Sequence, residues 1–439
     1  MRVLVIGAGG REHALVRRLA ADPDVTDVLA APGNPGIARM ARTAPVELGD
    51  LSAIAALARR ERVDLTVVGP ELPLSQGLAD RFAAEGQLLF GPSAAAARLE
   101  SSKAFAKSFM ARHGVPTARF EICDDLDRAL HVVRSALLGF PVVLKADGLA
   151  AGKGVVVADD RESAEAAVID AMRARKFGAA GDRLVIEECL RGPELSFFVI
   201  SDGHSAVPLG AAQDHKRVFD DDRGPNTGGM GAFAPSPLLD QPLERRVMRE
   251  IVEPVVSGMA QEGTPFRGFL YVGLMLTAEG PRVIEFNVRL GDPEAQVLLP
   301  LVDEPLWPVL VLAARGALSQ SSIRLAPDRV VGIVVASRGY PESSESGRPI
   351  TGVDDAEAVP GVIVDHAGTA MREGRLVTAG GRVLTVVGRG VDFAEATARA
   401  YAAVMQISFD GMHFRRDIGR KALVAESRAQ TDGQGLTRA

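Results

Sequence analysis

The chain has 439 residues, of which 47% are hydrophobic and 24% are charged, and its formal net charge is −6. This composition is typical of a soluble globular protein with a large core, and the length predicts about three domains. Because the net charge is negative and the sequence has no long basic run, we do not expect a nucleic-acid partner.

The sequence also bears on where the protein resides. Its two cysteines, Cys123 and Cys189, lie far apart without metal-ligand spacing, which favours a reducing compartment. The apolar start of the chain is too short for a signal peptide. The apolar stretch 297–314 is interrupted by Asp303, Glu304 and three prolines, which excludes a membrane span. We therefore expect a cytoplasmic protein with no membrane partner.

The first hundred residues alternate between strand and helix patterns. An apolar run at 2–7 predicts a buried parallel strand, and the segment 63–71 predicts a strand followed by a loop. Amphipathic spacing predicts helices near 11–21 and 51–61. Such alternation indicates a doubly wound, Rossmann-like sheet, in which loops at the carboxyl ends of the strands form a ligand crevice. We assign this N-terminal domain to residues 1–102.

The remaining chain predicts a multidomain protein of α/β and α+β type. A helix is expected over 94–112, and a compact subdomain over about 117–189 within a central domain of residues 103–327. Long β-rich segments later in that domain predict an antiparallel sheet. A small β-rich domain follows at 328–425.

The last residues, 426–439, are polar, and they predict a tail with a frayed end.

The first glycine pattern, "GAGGREH", only partly matches a dinucleotide fingerprint. Glu12 replaces the third glycine, and no acidic residue ends the next strand, so we do not expect NAD binding. A phosphate resting on Gly9 and Gly10 at a helix N-terminus is one interpretation. A tight turn without a ligand is the other, and the spacing alone does not decide between them.

A second glycine stretch, "KADGLAAGKG" at 145–154, also suggests a phosphate loop. It is not a P-loop, because Gly148 and Gly152 are one residue too close and Gly154 stands where Ser or Thr is required. Small residues let a backbone approach a polyphosphate and let a loop move as a lid. A surface hairpin with spare glycines explains the pattern equally well.

The segment "VIEFNVRLGDPE" favours the phosphate interpretation. In a strand, alternate residues share a face, so Glu285, Asn287 and Arg289 are expected to point the same way. A carboxylate and an amide oxygen suit Mg²⁺, which keeps room for phosphate oxygens. Arg289 could hold an anionic substrate beside the metal. A merely solvent-facing strand is the alternative.

In the segment 211–233, the residues Asp214, His215, Lys216 and Arg217 are followed by a long loop dense in Gly, Asn and Pro. A long loop of this kind is typical of a functional site. We do not assign His215 as a base. The three aspartates at 220–222 are expected to be solvated rather than metal-binding.

Several segments together carry a resemblance to a known family. The sequence contains "VIGAGGREHA", "APGN", "VVGPELPL", "SKAFAKSFM", "VVLKADGLAAGKGV", "AQDHKR", "GPNTGGMGAF" and "EFNVRLGDPEAQ". In this order they closely resemble the phosphoribosylamine–glycine ligases, or glycinamide ribonucleotide synthetases, which belong to the ATP-grasp superfamily. The resemblance extends from residue 1 to about residue 420.

The resemblance implies an activity and its substrates. ATP, glycine and 5-phosphoribosylamine would give glycinamide ribonucleotide, ADP and phosphate in de novo purine synthesis. A glycyl phosphate intermediate and Mg²⁺ or Mn²⁺ are implied as well. On this basis residues 103–327 would be an ATP-grasp domain with its lid at about 117–189. Nothing in the sequence demands more than a monomer.

The resemblance also implies roles for individual residues. Asp214 and Arg289 would grip the ammonium and carboxylate groups of glycine as catalytic residues, with Gly291 as a further substrate contact. Glu285 and Asn287 would bind the metal. Gly9, Gly10 and Asn34 would face the phosphoribosyl group. The implied ATP contacts are Lys103, Lys145, Gly148, Gly152, Lys153, Gly154, the adenine hinge residues Glu187, Glu188, Cys189 and Leu190, and the ribose contact Glu194.

Two other functions compete with this one. A related ATP-grasp ligase could use another acid, such as formate or bicarbonate, or another amine. A non-catalytic nucleotide sensor on the same fold is the second alternative. The Glu285, Asn287 and Arg289 face argues against a sensor, because a sensor does not require phosphoryl-transfer groups.

Overall fold

The computed structural model describes residues 1–148 and 154–436 of the chain. The N-terminal domain contains a parallel five-stranded sheet, as predicted. Its strands are β1 (Arg2–Gly7), β2 (Asp27–Pro32), β3 (Arg42–Thr43), β4 (Leu65–Val68) and β5 (Leu89–Phe90), in the spatial order β3–β2–β1–β4–β5. Its helices are α1 (Gly10–Ala20), α2 (Leu51–Arg60), α3 (Glu71–Ser75), α4 (Leu78–Ala84) and α5 (Arg98–Ser101).

Strand β1 shows why its sequence is continuously apolar. Val3 and Val5 pack into one hydrophobic core, whereas Leu4 and Ile6 pack into another on the opposite face of the sheet. A strand covered on both faces has no solvent side for polar residues. The predicted Rossmann-like domain is confirmed.

The helix expected over 94–112 is broken in two. After α5 the chain is extended at Ser102 (φ −138°, ψ 108°), and α6 (Lys103–Arg112) begins there. The Ser102 hydroxyl accepts a hydrogen bond from the Phe105 amide at 3.1 Å. Serine is a favoured N-cap because it satisfies an amide that the helix leaves unpaired. The periodicity of apolar residues did not reveal this helix start.

A separate subdomain follows, in which four strands form an antiparallel sheet in the order β6–β9–β7–β8 with their own hydrophobic core. We call it the lid. Its elements are β6 (Phe120–Cys123), α7 (Leu126–Ser135), β7 (Val142–Ala146), β8 (Val155–Ala158), α8 (Arg161–Val168) and β9 (Leu184–Glu188).

The remaining elements build one large sheet and the helices that cover it. In the central part they are β10 (Glu194–Asp202), β11 (Ala206–Asp214), β12 (Arg217–Phe219), β13 (Arg223–Asn226), β14 (Gly231–Ala234), α9 (Gln241–Val247), α10 (Glu253–Gln261), β15 (Arg267–Thr277), β16 (Gly280–Asn287), α11 (Glu294–Leu298) and α12 (Leu306–Ala314). In the C-terminal part they are β17 (Arg329–Ala336), α13 (Val353–Glu357), β18 (Val362–His366), β19 (Thr369–Arg372), β20 (Arg375–Thr378), β21 (Arg382–Gly390), α14 (Phe393–Val404) and α15 (Arg420–Leu436).

The large sheet is antiparallel, as predicted, and has eight strands in the order β16–β15–β10–β11–β14–β17–β21–β18. Strand β14 pairs with β11 on one side and with β17 on the other. The sheet therefore runs across the predicted boundary at residues 327 and 328 without interruption.

The structure describes the first part of the expected tail as helix. Residues 426–436 continue α15. Ala422 is buried and Leu423 packs against the C-terminal core, and Glu426 accepts a hydrogen bond from the Phe393 amide at 3.1 Å. These contacts anchor the first half of the helix, and polarity alone did not reveal them.

None of the described helices is both long and apolar enough to cross a membrane. The apolar stretch 297–314 instead forms part of α11 and α12, and its side chains pack inside the protein.

Candidate active site

A cleft of about 440 Å³ opens where the N-terminal domain, the lid, the large sheet and the C-terminal part meet. Many residues predicted for the site line it: Lys103, Lys145, Gly148, Gly154, Glu187, Asp214, Glu285, Asn287, Arg289 and Gly291. It is also lined by polar residues that were not predicted, among them Arg11, Glu71, Glu100, Lys107, Lys216, Tyr271, Asp292, Glu294 and Arg382.

The predicted metal ligands lie at the end of β16. Asn287 lies opposite Tyr271 and Glu285 lies opposite Gly273, and Ile284 is an extra residue where the register of β15 and β16 shifts. Among the described residues, neither the Glu285 carboxylate nor the Asn287 side-chain amide has a hydrogen-bond partner. Both oxygens are therefore available to a ligand in the cleft.

Glu285 is held in its charged form. Burial raises the pKa of this carboxyl group, but the charges of Lys216, Lys145 and Lys103 more than offset burial, so that the pKa lies below its ordinary value. A carboxylate beside a free amide oxygen, with space for phosphate oxygens, matches the hard oxygen ligands that Mg²⁺ or Mn²⁺ accepts. The residues present thus fit the implied metal.

Two lysines predicted to contact ATP face this pair. The Lys103 ammonium donates to the carbonyl oxygen of Gly148 at 2.9 Å, and that of Lys145 donates to the carbonyl oxygen of Ile284 at 3.0 Å. Burial lowers the pKa of Lys103. Gly152 and Lys153, also predicted as ATP contacts, lie outside the described residues.

Lys107 is a cleft residue that the motif analysis did not assign. It lies 2.8 Å from one carboxylate oxygen of Glu187, and Lys145 lies 3.1 Å from the other. Burial lowers the pKa of Lys107 to about 8. Lys107 lies one helical turn after Lys103 on α6, and this spacing could have predicted that both lysines face the cleft.

The predicted adenine hinge is divided between two surfaces. Glu187 faces the cleft, whereas Glu188, Cys189 and Leu190 line a neighbouring open groove. Glu194, the predicted ribose contact, starts β10 and pairs with Lys216 at 2.6 Å. The structure therefore places Glu194 next to a cleft residue, and the roles of the hinge stay predictions.

A second carboxylate accompanies Asp214. Asp214 ends β11, and burial raises the pKa of its carboxyl group even though Lys216 is nearby. Glu294 accepts a hydrogen bond from the Ser196 hydroxyl at 3.2 Å, and Ser196 also contacts the Tyr271 hydroxyl at 3.1 Å. Burial and the charge of Asp214 raise the pKa of Glu294 to about 7.

Glu294 follows the "GDP" turn and begins α11, and the sequence did not predict a role for it. Gly291 explains its approach: a Cβ atom at this glycine would collide with the Glu294 carboxylate. Glycine is therefore needed at position 291, because Glu294 packs directly against it. In the sequence, only their spacing of three residues indicates that Gly291 and Glu294 are neighbours.

Arg289 follows the end of β16 and lines the cleft, but two carboxylates already surround it. Its Nη2 lies 2.9 Å from Glu100 and its Nε lies 3.3 Å from Glu71, while Nη1 donates to the Leu290 carbonyl oxygen at 3.2 Å. These charges raise the pKa of Arg289 although burial opposes them. The guanidinium therefore remains charged, and its remaining N–H groups are free for a substrate.

The structure does not bring Gly9, Gly10 and Asn34 to the lining of this cleft. The Gly9 amide donates to the Glu12 carboxylate at 2.6 Å. A Cβ atom at Gly10 would lie 2.5 Å from the side-chain amide nitrogen of Gln296. The Asn34 side chain donates to the carbonyl oxygens of Ala8 and His366, each at 2.8 Å. All three have structural roles, and their contact with a phosphoribosyl group stays a prediction.

The residue that breaks the dinucleotide fingerprint, Glu12, is itself part of the local structure. It is buried, and Arg11 contacts its carboxylate at 2.6 Å. It fills the space that the glycines of the turn leave open. The Glu12 carboxylate is thus the anion at the N-terminus of α1.

The fold and the site define a class of enzyme. A lid sheet and a large antiparallel sheet enclose a cleft in which lysines face a glutamate–asparagine pair. This arrangement, with an N-terminal Rossmann-like domain, is that of the ATP-grasp enzymes, which use ATP and a divalent metal.

Comparisons with known proteins identify the family. Models of the phosphoribosylglycinamide synthetase N domain, ATP-grasp (A) domain and C domain match residues 1–100, 101–295 and 330–421. The chain belongs to the phosphoribosylglycinamide synthetase family, which confirms the family predicted from the motifs.

Individual relatives match over nearly the whole length. The phosphoribosylamine–glycine ligase of Xylella fastidiosa (strain Temecula1) is 50% identical over 430 residues, covering 97% of this chain and 99% of the relative. That of Xanthomonas campestris pv. campestris is 49% identical over 434 residues, covering 98% and 100%. The crystal structure of phosphoribosylamine–glycine ligase from Thermotoga maritima is 34% identical, with a TM-score of 0.83 and coverage of 95% and 100%.

A more distant likeness supports the fold alone. The biotin carboxylase domain of the Hydrogenobacter thermophilus 2-oxoglutarate carboxylase superposes with a TM-score of 0.69 at 22% identity, over 94% of this chain and 91% of that one.

Proposed function

We propose that this protein is a phosphoribosylamine–glycine ligase, which joins glycine to 5-phosphoribosylamine and converts ATP to ADP and phosphate. The observation that carries the proposal is the cleft itself. It combines a free glutamate–asparagine oxygen pair, two facing lysines and a second carboxylate pair, in which Glu294 is buried and Asp214 is half-buried. Relatives that carry this name are about half identical over nearly the whole chain.

Glu285 and Asn287 would hold Mg²⁺ or Mn²⁺. When bound, the metal would neutralise charge on the phosphates of ATP. Lys103 and Lys145 orient the phosphate chain from the opposite side, and Gly148 and Gly154 leave room for it. Phosphoryl transfer depends on this alignment and on charge neutralisation more than on a strong base. The adenine ring is assigned to the hinge 186–190, and the ribose to Glu194.

Glycine occupies the deeper end of the cleft in this proposal. Asp214, with Glu294 beside it, binds the ammonium group, and the free N–H groups of Arg289 bind the carboxylate, next to the backbone of Gly291. A carboxylate is a poor electrophile until its oxygen becomes a leaving group, so the γ-phosphate is transferred to glycine. The resulting glycyl phosphate is attacked by the amine of phosphoribosylamine.

The phosphoribosyl group remains assigned to Gly9, Gly10 and Asn34. Binding of a phosphate there requires the Gly9 amide to exchange the Glu12 carboxylate for the phosphate oxygen, since Glu12 already accepts its hydrogen bond. An amine on an anomeric carbon is less basic than an alkylamine, so it is free to attack near neutral pH.

The proposal extends to the setting of the enzyme. We assign it to the cytoplasm as a monomer acting on small molecules in purine synthesis. The support for this location is the composition and the two free cysteines, Cys123 and Cys189, of which Cys123 is buried.

The test is ADP release from purified protein given ATP, Mg²⁺, glycine and freshly made phosphoribosylamine, with each omitted in turn. We expect ADP formation to need both glycine and the amine, and glycinamide ribonucleotide to accumulate. ADP formation with formate or bicarbonate in place of glycine would refute the substrate assignment in favour of a related ligase. No ADP formation with any acid would favour a nucleotide sensor.

A further inference from the structure

A buried arginine of the C-terminal part contacts the loop that leads to the cleft. The Arg415 side chain is 1% exposed. Its Nε and Nη2 donate to the two carboxylate oxygens of Asp417 at 2.8 and 2.7 Å. Its Nη1 donates to Asp222 at 2.9 Å and to the carbonyl oxygen of Arg217 at 3.0 Å. Since a buried charge is tolerated only when it is paired, this geometry is strongly constrained.

The hairpin formed by β12 and β13, residues 217–226, connects this arginine with the cleft. Lys216 directly precedes the hairpin, Asp214 lies two residues before Lys216 at the end of β11, and Thr227 directly follows the hairpin. Thr227 donates its amide and its hydroxyl to the Lys216 carbonyl oxygen at 2.7 and 2.9 Å. All three residues line the cleft. A contact that fixes the hairpin therefore fixes both chain segments at the cleft wall.

The hairpin has other contacts as well. Its buried Val218 packs against Met230 and Ala336, and the Val218 carbonyl oxygen contacts His413 at 2.9 Å.

The aspartates at 220–222, which we expected to be solvated, add hydrogen bonds and ion pairs. Asp220 accepts a hydrogen bond from the Arg416 amide at 2.7 Å, and Asp222 accepts one from the Lys421 ammonium at 2.7 Å. The Lys421 side chain is 54% exposed. Because exposed ion pairs contribute little, the buried Arg415 is the main charged anchor of the hairpin, beside the packing of Val218.

We propose that Arg415 is a positioning residue that holds the hairpin so that Asp214 and Lys216 keep their places in the cleft, and that it thereby sets the affinity for glycine. This inference rests on the proposed function, in which Asp214 binds the glycine ammonium group. ATP binding depends mainly on Lys103, Lys145 and β16, which the hairpin does not carry, and only indirectly on Lys216 through its contact with Glu194. It is therefore expected to change less than glycine binding when Arg415 is replaced.

The test compares Arg415→Ala, Arg415→Lys and Lys421→Ala in the full-length enzyme. For Arg415→Ala we expect the KM for glycine to rise roughly 10- to 100-fold, because small misplacements in a site are costly, and the KM for ATP to rise much less. Arg415→Lys should recover part of the loss, since it restores the charge without the bidentate fork. Lys421→Ala should behave as the wild type.

Hydrogen–deuterium exchange supplies a readout that does not depend on turnover. In Arg415→Ala, amides of residues 215–227 should exchange faster than in the wild type, while those of β21 and α14 keep their protection. If Arg415→Ala does not fold, Asp222→Asn removes the hairpin's side of the contact at a partly exposed position, and a smaller rise in the glycine KM is expected.

Two results would overturn the inference. One is a glycine KM at the wild-type value in the folded variants. The other is an equal rise in both KM values with faster exchange throughout the C-terminal part, which would indicate a purely structural role. If the wild-type enzyme shows no glycine-dependent ADP release, the proposed function and the inference are both refuted. If the wild-type enzyme turns over and the Arg415 variants keep its KM for glycine, the inference alone is refuted.

Discussion

At the scale of single residues, the cleft is organised by charges that control one another. Lys216, Lys145 and Lys103 keep Glu285 anionic in spite of burial, whereas Glu294, next to Asp214, has its pKa raised to about 7. Glu285 is thus negatively charged at all physiological pH values and can bind a cation, whereas Glu294 changes its charge within that pH range.

Replacing Glu285 tests the metal site. In Glu285→Gln we expect kcat to fall by at least about 100-fold, because the anionic oxygen beside Asn287 is lost from a site that must neutralise transferred phosphate. ATP binding, measured by calorimetry, should largely survive through the lysines. The control is Glu279→Gln, whose 75% exposed side chain lies at the turn before β16. Normal turnover of Glu285→Gln at saturating Mg²⁺ would contradict the assignment.

Replacing Asp214 tests the ammonium site. Asp214→Asn keeps the size of the side chain but removes its charge, so the KM for glycine should rise about 10- to 100-fold, the cost of losing a buried charge-assisted contact. The KM for ATP, determined in the same assay, should stay near the wild-type value. A glycine KM that does not change would remove Asp214 from this role.

Glu294 predicts a pH dependence. Its carboxyl group is neutral below its raised pKa of about 7 and anionic above it, and only the anion attracts an ammonium group. The kcat/KM for glycine should therefore increase with pH through about 7 and then level off. In Glu294→Gln this inflection should disappear, and a profile that retains it would assign the titration to another group.

At the scale of elements, short local signals decide where the site residues stand. The Ser102 cap separates α5 from α6 and starts the helix that carries Lys103 and Lys107. The extra residue Ile284 interrupts the regular pairing of β16 at the point where Lys145 contacts its carbonyl oxygen. Bulges of this kind commonly redirect side chains next to active sites.

The cap predicts a measurable stability. Ser102→Ala removes the acceptor for the Phe105 amide, so the free energy of unfolding should fall by about 1 kcal/mol. Urea unfolding followed by circular dichroism measures this loss. Ser108→Ala, within the same helix, is the matched control and should change the free energy much less. Equal effects of the two substitutions would show that the cap is not the source.

At the scale of the whole molecule, the large sheet joins parts that the sequence suggests are separate. Strand β14 lies between β11 and β17, and its residue Phe233 is fully buried. The lid, in contrast, has its own core and its own sheet. Cooperative folding should therefore include the C-terminal part with the large sheet, and it should depend little on the lid.

Two truncations test this division. A chain ending at residue 327 loses β17 and exposes an edge of the sheet, so we expect aggregation or loss of cooperative unfolding. Because Phe120 pairs with Glu187, the lid between them can be replaced by a short glycine linker, and this variant should still unfold cooperatively while it loses ATP turnover. Cooperative unfolding of the 1–327 fragment in calorimetry would contradict the shared sheet.

Much of the fold and part of the site follow from the sequence alone. Apolar runs predicted the parallel strands, and alternation predicted that Glu285, Asn287 and Arg289 share one face, because side-chain period is a local property of the chain. The family resemblance implied that Asp214 joins them. The family followed from the order and spacing of the motifs over the chain.

Only the tertiary structure revealed the partners of those residues. Glu71 and Glu100 surround Arg289, and Arg415 anchors the hairpin after Asp214, and in both cases the partners are far apart in sequence. The contact of Glu12 with the Gly9 amide is local, but the motif did not predict it. Burial and neighbouring charge decide whether a donor is free or a carboxylate is ionised, and both depend on which distant segments pack together. Local pattern specifies which chemistry is present, and packing decides which groups remain free to perform it.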